Sequence, residues 1–535
     1  MARTHQNNLS LWQEDLVLPD TPTLAKSATT EVCIVGAGFS GLLTAYRLLK
    51  NSHKVIVIDR DGLGYGDSAL SSAHLSDVLD DHFTEIIRKH GKEKARIAYE
   101  SHRDAIDLIE NIVRDEKIEC DFVRLDGYLF LSPGQDPEFL ETEMQAALDC
   151  GVENVKKIEQ PEDVFFDAGL CLQFADQAQF HPVKFLNGLC ERIRLMGGQI
   201  FTNTSAEVIE DGPQVRVRTA NGCQITCQHA VVATNVPVNN IMSVHLKEAA
   251  FRSYVIGMKV PRGNLTPALF WDTGKPYHYI RLDMAPERDF DVLLVGGEDH
   301  RVGQENHPER IFQKLRDWVE SRLGVVDPEV IYNWSGQIIE PMDGVAYIGK
   351  NPGAENVYVV TGDSGQGVTH AAIASHLLTA LIQKEEHPWE KLYDPSRFNW
   401  RSLNEFVRDA AQSSAQYADW IYRDEKQLKD LRPGEGCVMT EGLAKVALYR
   451  DREGDIHKLS AVCTHMGGIV KWNAAEETWD CPCHGSRFSK LGEVLNGPAI
   501  HDLSPHQTEL EKQQAQEAII KKQSSDIDLM YRGSR

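Results

Sequence analysis

The sequence predicts an α/β domain interleaved with an α+β domain built on an antiparallel sheet, followed by a small all-β module. Three observations carry this. A short apolar run, Val32 to Val35, meets a glycine-rich turn, a helix-length segment and a second apolar run. Strand-like runs separated by turn signals fill the middle of the chain. Beyond residue 433, short strand signals recur at about 8–12-residue spacing, as in small all-β domains.

The first element is a β-α-β unit. Val32 to Val35 leads into Gly36-Ala37-Gly38-Phe39-Ser40-Gly41, a helix-length segment runs from Leu42 to Lys50, and Val55 to Ile58 ends at Asp59. In such a G-x-G-x-x-G turn Gly36 permits the tight turn, Gly38 lets the backbone approach a pyrophosphate, and Gly41 lets the helix pack closely on the strand. The helix start offers unpaired N–H groups and partial positive charge to phosphates. Asp59 is placed to accept hydrogen bonds from a ribose. The pattern points to dinucleotide binding, with a glycine-rich turn in some other α/β domain as the alternative.

Residues 85–160 are charged and helical in character. Val215 to Arg218, Asn221-Gly222 and Ile225 to Cys227 read as a hairpin, because Asn-Gly supplies the positive φ angles of a tight turn. Ala230 to Thr234 is a buried strand. Runs between Tyr254 and Gly297, including Tyr277 to Leu282 and Val292 to Val295, form a mostly antiparallel second sheet. Pro308 to Leu323 reads as one amphipathic helix. The strand Val357 to Thr361 enters Gly362-Asp363-Ser364-Gly365-Gln366-Gly367 and a helix from about Val368 to Gln383. An amphipathic helix is expected around Leu403 to Ile421, and Arg432-Pro433-Gly434-Glu435-Gly436 marks a boundary. The first thirty residues, with Pro19 and Pro22, read as an extension that wraps or frays.

Composition bounds the function. Of 535 residues, 42% are hydrophobic and 25% charged, as in a soluble globular protein. Lys and Arg number 56 against 79 Asp and Glu, a net charge of −23, which argues against a phosphate-backbone binder and so against a nucleic-acid partner. Eleven cysteines in a long chain do not describe a secreted disulfide scaffold. With no transmembrane segment or signal peptide evident, the expected compartment is the cytoplasm.

The strongest chemical signal is Cys463-Thr464-His465 followed by Cys481-Pro482-Cys483-His484. Two thiolates and two imidazoles can hold a tetrahedral zinc. In a Rieske [2Fe–2S] centre two cysteines bind one iron and two histidines the other, and one Cys and one His from each loop match that division. These residues closely resemble the Rieske family, whose loop-one glycine corresponds to Gly467, its Gly-Ser to Gly485-Ser486 and its covering Gly-Pro to Gly497-Pro498. The resemblance implies Cys463, His465, Cys481 and His484 as ligands. Two departures matter. Electron-transport members link an extra cysteine in each loop; Cys483 is present but Gly468 replaces its partner, so no bridge forms. Where high-potential members carry a tyrosine donor, this chain has Phe488, which implies a potential in the lower part of the roughly −150 to +300 mV range.

A nucleotide fold coupled to a one-electron cluster needs a converter that takes a hydride and releases single electrons, which a flavin does. The first 385 residues resemble the flavoprotein superfamily of D-amino-acid oxidase, glycine oxidase and sarcosine oxidase. The matching features are the glycine turn with Asp59-Arg60, Gly64-x-Gly66-x-Ser68, Val231 to Asn235, Trp334-Ser335-Gly336, Asp343-Gly344, Ile348-Gly349 and Gly362-Asp363-x-Gly365-x-Gly367. The resemblance implies a Rossmann-like FAD domain interleaved with an antiparallel-sheet substrate domain. It implies FAD contacts at Gly36, Gly38, Phe39, Ser40, Gly41, Asp59, Arg60, Gly66, Ser68, Val208, Ala233, Thr234, Gly349, Gly365, Gly367 and Val368. The expected parts are an extension (1–30), the oxidoreductase (31–385), a helical linker (386–432), the Rieske domain (433–506) and a polar tail (507–535). Within the oxidoreductase, about 31–84, 161–240 and 330–385 bind FAD, and about 85–160 and 241–329 form the substrate side.

Departures also bear on the substrate. Relatives place an arginine after the Trp-x-Gly segment, and a second in the C-terminal glycine-rich loop, to grip a carboxylate. Here Gln337-Ile338-Ile339 and Gln366 occupy those places, and an amide does not replace a bidentate guanidinium. This lowers a free α-amino acid and raises a secondary, tertiary or N-methyl amine. Arg281 is expected either as a carboxylate contact from another direction or as a surface arginine. His74 lies where the family's chain passes under the flavin, and its readings are a covalent flavin link, a flavin or substrate contact, or a structural role. Tyr279 is expected as an active-site wall, with Tyr277 on its side of the strand and His278 on the other. Gly296-Gly297-Glu298-Asp299-His300 ends a strand and reads as a polar turn, with catalytic carboxylates and His as the alternative.

The expected chemistry is hydride transfer from the carbon beside an amine nitrogen to flavin, then single electrons through the cluster's exposed histidine edge to an external acceptor protein. The alternatives are reversed flow, with an electron donor protein feeding the Rieske domain and the flavin reducing a substrate or activating oxygen, and a non-enzymatic redox adaptor.

Overall fold

The computed structural model describes residues 10–506 apart from 15–18, 163, 239–241, 285, 306, 326, 404–406, 409–410, 413–414 and 421–429. The expected polar tail, 507–535, lies outside the described residues, as does much of the expected helix around Leu403 to Ile421. Its described part includes the short 3₁₀ turn Gln416–Trp420, and another, Trp400–Ser402, precedes it.

The apolar runs of the β-α-β unit become the centre of a six-stranded sheet. Its order is Tyr347–Lys350, Val357–Thr361, His229–Val232, Val32–Val35, Val55–Ile58, Gln199–Phe201, all parallel except the first pair. Every residue of Val32–Val35 and Val55–Ile58 is buried, because helices cover one face and a four-stranded sheet of Ala28–Thr29, Gln224–Cys227, Val215–Thr219 and Ala206–Glu210 covers the other. The helix Phe39–Lys50 begins three residues earlier than expected, inside the glycine turn, and packs against Gly367–Ile382. Gly36 sits at φ +111°, where a Cβ would come 2.2 Å from Ala233 O. At Gly41 a Cβ would come 1.9 Å from Gly36 O, so the helix can approach the turn only without a side chain.

A second sheet runs Val330–Pro341, Glu248–Pro261, Phe290–Arg301, His278–Asp283, Leu269–Asp272, Val123–Phe130, Cys171–Gln179, His74–Leu75, with Val155–Ile158 also on Cys171–Gln179. It is mostly antiparallel; Leu269–Asp272 pairs in parallel with Val123–Phe130. Three strands expected on the FAD side, Val330–Pro341, Cys171–Gln179 and His74–Leu75, therefore belong to this sheet. Gly296 to His300 is not a turn, since the strand continues to Arg301. The single helix expected from Pro308 to Leu323 is a short 3₁₀ turn, the α-helix Ile311–Trp318 and a π turn, Val319–Leu323.

The N-terminal extension wraps. Trp12 is fully buried, donates to Ser71 O at 2.8 Å and meets the Trp334 ring edge-on. After the linker, a three-stranded sheet, Gly436–Glu441, Ala444–Arg450 and Ile456–Ser460, accompanies a four-stranded one from Lys471–Asn473 to Val494–Asn496. Among the described residues no helix is long and apolar enough to cross a membrane.

Candidate functional site

The glycine turn opens into a cavity of about 1180 Å³. Gly36, Gly38, Phe39, Ser40, Asp59, Arg60, Gly66, Ser68, Ala233, Thr234, Gly365, Gly367 and Val368 all line it. Gly38 caps the helix without a side-chain bond, leaving N–H groups at the helix start available to a phosphate. Asp59 accepts from Ala37 N at 2.6 Å and Asp61 N at 2.8 Å, and burial raises it to about 6. This cradle fits a dinucleotide cofactor.

Three of the expected FAD contacts do not reach the cavity. Gly41 lies under the turn. Val208 is two residues beyond Ala206, which does line the cavity together with Ser205. Gly349 sits on the sheet's edge strand, where a Cβ would meet Pro395.

The three expected catalytic residues separate. His74 and Tyr279 both line the cavity, with ring centroids 5.4 Å apart and the rings edge-on. Burial, then the charge of Arg281, lowers His74 to about 3, so it is neutral, and its Nε2 has no hydrogen-bond partner. Tyr279 lies over Gly296, where a Cβ would come 2.1 Å from its ring. Arg281 is neither a substrate contact nor a surface residue. It is 2% exposed, lies outside the cavity lining, and donates to Ser72 O, Ala73 O and Phe180 O at 2.7, 3.1 and 3.2 Å. It fixes the backbone that carries His74. His278 faces away from the cavity, as alternation requires, stacked on Trp318 and bonded to Asp272 and Glu298.

Both glutamines that replace the expected arginines are engaged. Gln366 donates to Val78 O, and Gln337 donates to Gly485 O at 3.1 Å in the C-terminal module. Carboxyl groups cluster within electrostatic reach of Tyr277, and Lys89, also in the cavity wall, donates to Asp81 at 2.8 Å. Asp80, Asp81, Glu340 and Asp363 line the cavity, and Asp299 lies within electrostatic reach. Burial, then neighbouring carboxylates, pushes Asp80 well above the usual range; burial followed by Asp299 and Asp81 raises Glu340 to about 8. Arg301 also lines the cavity. Asp363 belongs to the C-terminal glycine-rich motif and Asp299 to the Gly296–His300 segment, whereas no sequence motif marks Asp80, Asp81, Glu340 or Arg301.

The C-terminal module presents two loops of matching form. Cys463 O accepts from Gly467 N and Cys481 O from Gly485 N, each at 3.0 Å. Cys463 and Cys481 are both buried and within electrostatic reach of each other, and the His465 and His484 rings are 5.1 Å apart. Nδ1 of His465 is buried without a hydrogen-bond partner. A thiol pair beside an imidazole pair fits a two-iron cluster with two ligands per iron. Cys483 is a free thiol, and a Cβ at Gly468 would come 2.6 Å from its Sγ, which locates the missing bridge. The Ser486 hydroxyl accepts the Ala499 N–H at 3.0 Å, and Phe488 is fully buried. Tyr417, which carries no sequence signal, reaches the loops from the linker, donating to Met466 O at 3.1 Å.

The histidine edge is less free than expected. His245, from the short helix Met242–His245, packs edge-on to His465 at 5.4 Å.

An α/β nucleotide cavity beside a Cys-pair, His-pair centre defines a flavin- and iron–sulfur-dependent oxidoreductase. Residues 31–381 match the model of the FAD dependent oxidoreductase family, and the chain belongs to that family. Residues 423–508 match the Rieske [2Fe-2S] domain, so the protein binds FAD and a [2Fe–2S] cluster. It is similar to the putative Rieske 2Fe-2S iron-sulfur protein YhfW of Bacillus subtilis, 31% identical over 92% of this chain and 96% of that one. It is also similar to the gamma-glutamylputrescine oxidoreductase of Escherichia coli, 25% identical over 68% of this chain and 85% of that one. Glycine oxidase from Geobacillus kaustophilus shares the fold, with a TM-score of 0.59 at 16% identity, covering 70% of this chain and all of the other.

Proposed function

We propose that the protein oxidises a small amine or amino-acid-like substrate and passes the electrons to an external acceptor. Bound FAD supplies the hydride acceptor, and the cluster held by Cys463, His465, Cys481 and His484 supplies single-electron transfer onward. The observation that carries the substrate class is the cluster of carboxyl groups near Tyr277, formed by Asp80, Asp299, Glu340 and Asp363. Burial and mutual like charge favour the protonated forms of Asp80, Glu340 and Asp299, and a bound substrate ammonium would favour their ionised forms. Arg281, Gln337 and Gln366 are all committed to protein partners, so the arginine fork expected for an α-carboxylate is missing. His74 is held neutral and adds no positive charge against a bound ammonium.

Anaerobic mixing of the holoenzyme with a panel of amines and matched α-amino acids tests this. Amines without an α-carboxylate are expected to bleach the flavin at least as fast as their amino-acid counterparts. Bleaching confined to α-amino acids, or by no amine at all, overturns the substrate class.

A further inference from the structure

The oxidoreductase and the cluster module meet through a continuous set of buried and half-buried polar contacts. Arg252, on Glu248–Pro261 and 1% exposed, donates through Nη2 and Nε to the carboxylate of Glu476 at 2.5 and 3.1 Å. Glu476 also accepts from Arg487 Nη2 at 2.8 Å and from the Ser335 hydroxyl. Arg487 reaches Asn496 at 3.3 Å, Asn496 donates to Asp67 at 3.0 Å, and Asp67 accepts the Gln337 N–H at 3.0 Å. The Gln337 side chain then returns to Gly485 O, next to His484. Arg60 of the cavity wall donates to Leu495 O at 2.7 Å. Leu495, Asn496 and Gly497 themselves line the FAD cavity.

A buried Arg–Glu–Arg triad is an expensive way to hold two surfaces together. Desolvation consumes most of what the charges gain, and apolar packing is often more stabilising. What a triad does supply is geometry, since a bidentate guanidinium accepts one arrangement of its partner. Here that geometry is set where one side chain, Gln337, touches both the FAD cavity and the loop of His484.

We propose that Glu476, with Arg252, and Gln337 are positioning residues that fix the cluster loops against the FAD cavity, so that electrons cross between the two centres within one chain. This rests on the reading that electrons pass between FAD and the cluster. In each turnover the substrate loses two electrons, these cross one at a time, and a one-electron acceptor such as ferricyanide is reduced twice. The substrate's protons leave to water.

The test uses full-length holoenzyme carrying Glu476→Gln, Glu476→Asp or Gln337→Leu. Light-driven reduction of the flavin starts the reaction without any substrate, so a wrong substrate class does not affect the outcome. Freeze-quenched EPR then follows the reduced cluster. In Glu476→Gln the cluster signal is expected to appear roughly ten- to hundred-fold more slowly, as displacement of reacting centres predicts, with unchanged g-values and cluster content. Amide exchange over residues 481–488 should rise, and Glu476→Asp should restore part of the rate. Gln337→Leu, which removes no charge, is expected to slow transfer in the same direction and keeps the test valid if Glu476→Gln loses its cluster. A transfer rate within about two-fold of the parent in a variant that retains both cofactors overturns the proposal. No cluster reduction in the parent protein overturns the electron route itself.

Discussion

Replacement of Arg281 by methionine separates a structural arginine from a substrate-binding one. The guanidinium bonds three main-chain carbonyls, those of Ser72, Ala73 and Phe180, and lies 5.0 Å from the Trp12 ring. Hydrogen bonds from a charged donor are worth about 1.5–3 kcal/mol each, which sets a ceiling of about 5–9 kcal/mol for three. Methionine returns part of this, because no charge is then buried. Asp283 loses Arg281 at 3.6 Å but keeps its bond to Arg288. The net cost is about 3–5 kcal/mol, in the range for breaking a buried charged contact. Denaturant unfolding followed by flavin fluorescence, beside KM for paired substrates with and without a carboxylate, measures both consequences. The expected result is a large fall in the unfolding midpoint and weaker FAD retention, with the ratio of the two KM values unchanged. A stable variant whose KM rises only for carboxylate-bearing substrates would refute the assignment.

Two further outcomes follow from the same geometry. Gly468→Cys is expected to oxidise to a disulfide with Cys483, closing a loop of about 15 residues worth about 3 kcal/mol, and to slow loss of the cluster to a chelator; free thiols persisting in air count against it. Glu340, raised to about 8 chiefly by burial, and Asp299, raised to about 7 by the same cause, are protonated below those values. An ammonium substrate binds their ionised forms, so KM is expected to fall as pH rises through about 7 to 8. Glu340→Gln should remove most of that dependence, and an unchanged profile contradicts the role.

The glycine turn and the paired Cys and His loops were legible because each needs particular residue types at fixed short spacing. Arg281 was misread because its partners lie far along the chain, at Ser72, Ala73 and Phe180. Gln337 looked like a lost arginine, whereas its partner is a carbonyl 148 residues away in another module. Asp80, Glu340 and Arg301 converge from separate strands and loops, and nothing local distinguishes them from solvated charges. Gly296 to His300 read as a turn from its two glycines and three polar residues. Gly296 instead makes room for Tyr279 and Gly297 for the carbonyl of Tyr277, inside a strand that continues. The triad of Arg252, Glu476 and Arg487 spans two modules and was equally invisible.

The central claim is that electrons pass from substrate to flavin and leave through the cluster. The most direct measurement is anaerobic flavin reduction by an amine, together with steady-state acceptor reduction, in a Cys463→Ala variant that keeps FAD. Flavin reduction at the parent rate with acceptor reduction abolished is the predicted result; acceptor turnover that survives loss of the cluster would contradict the account.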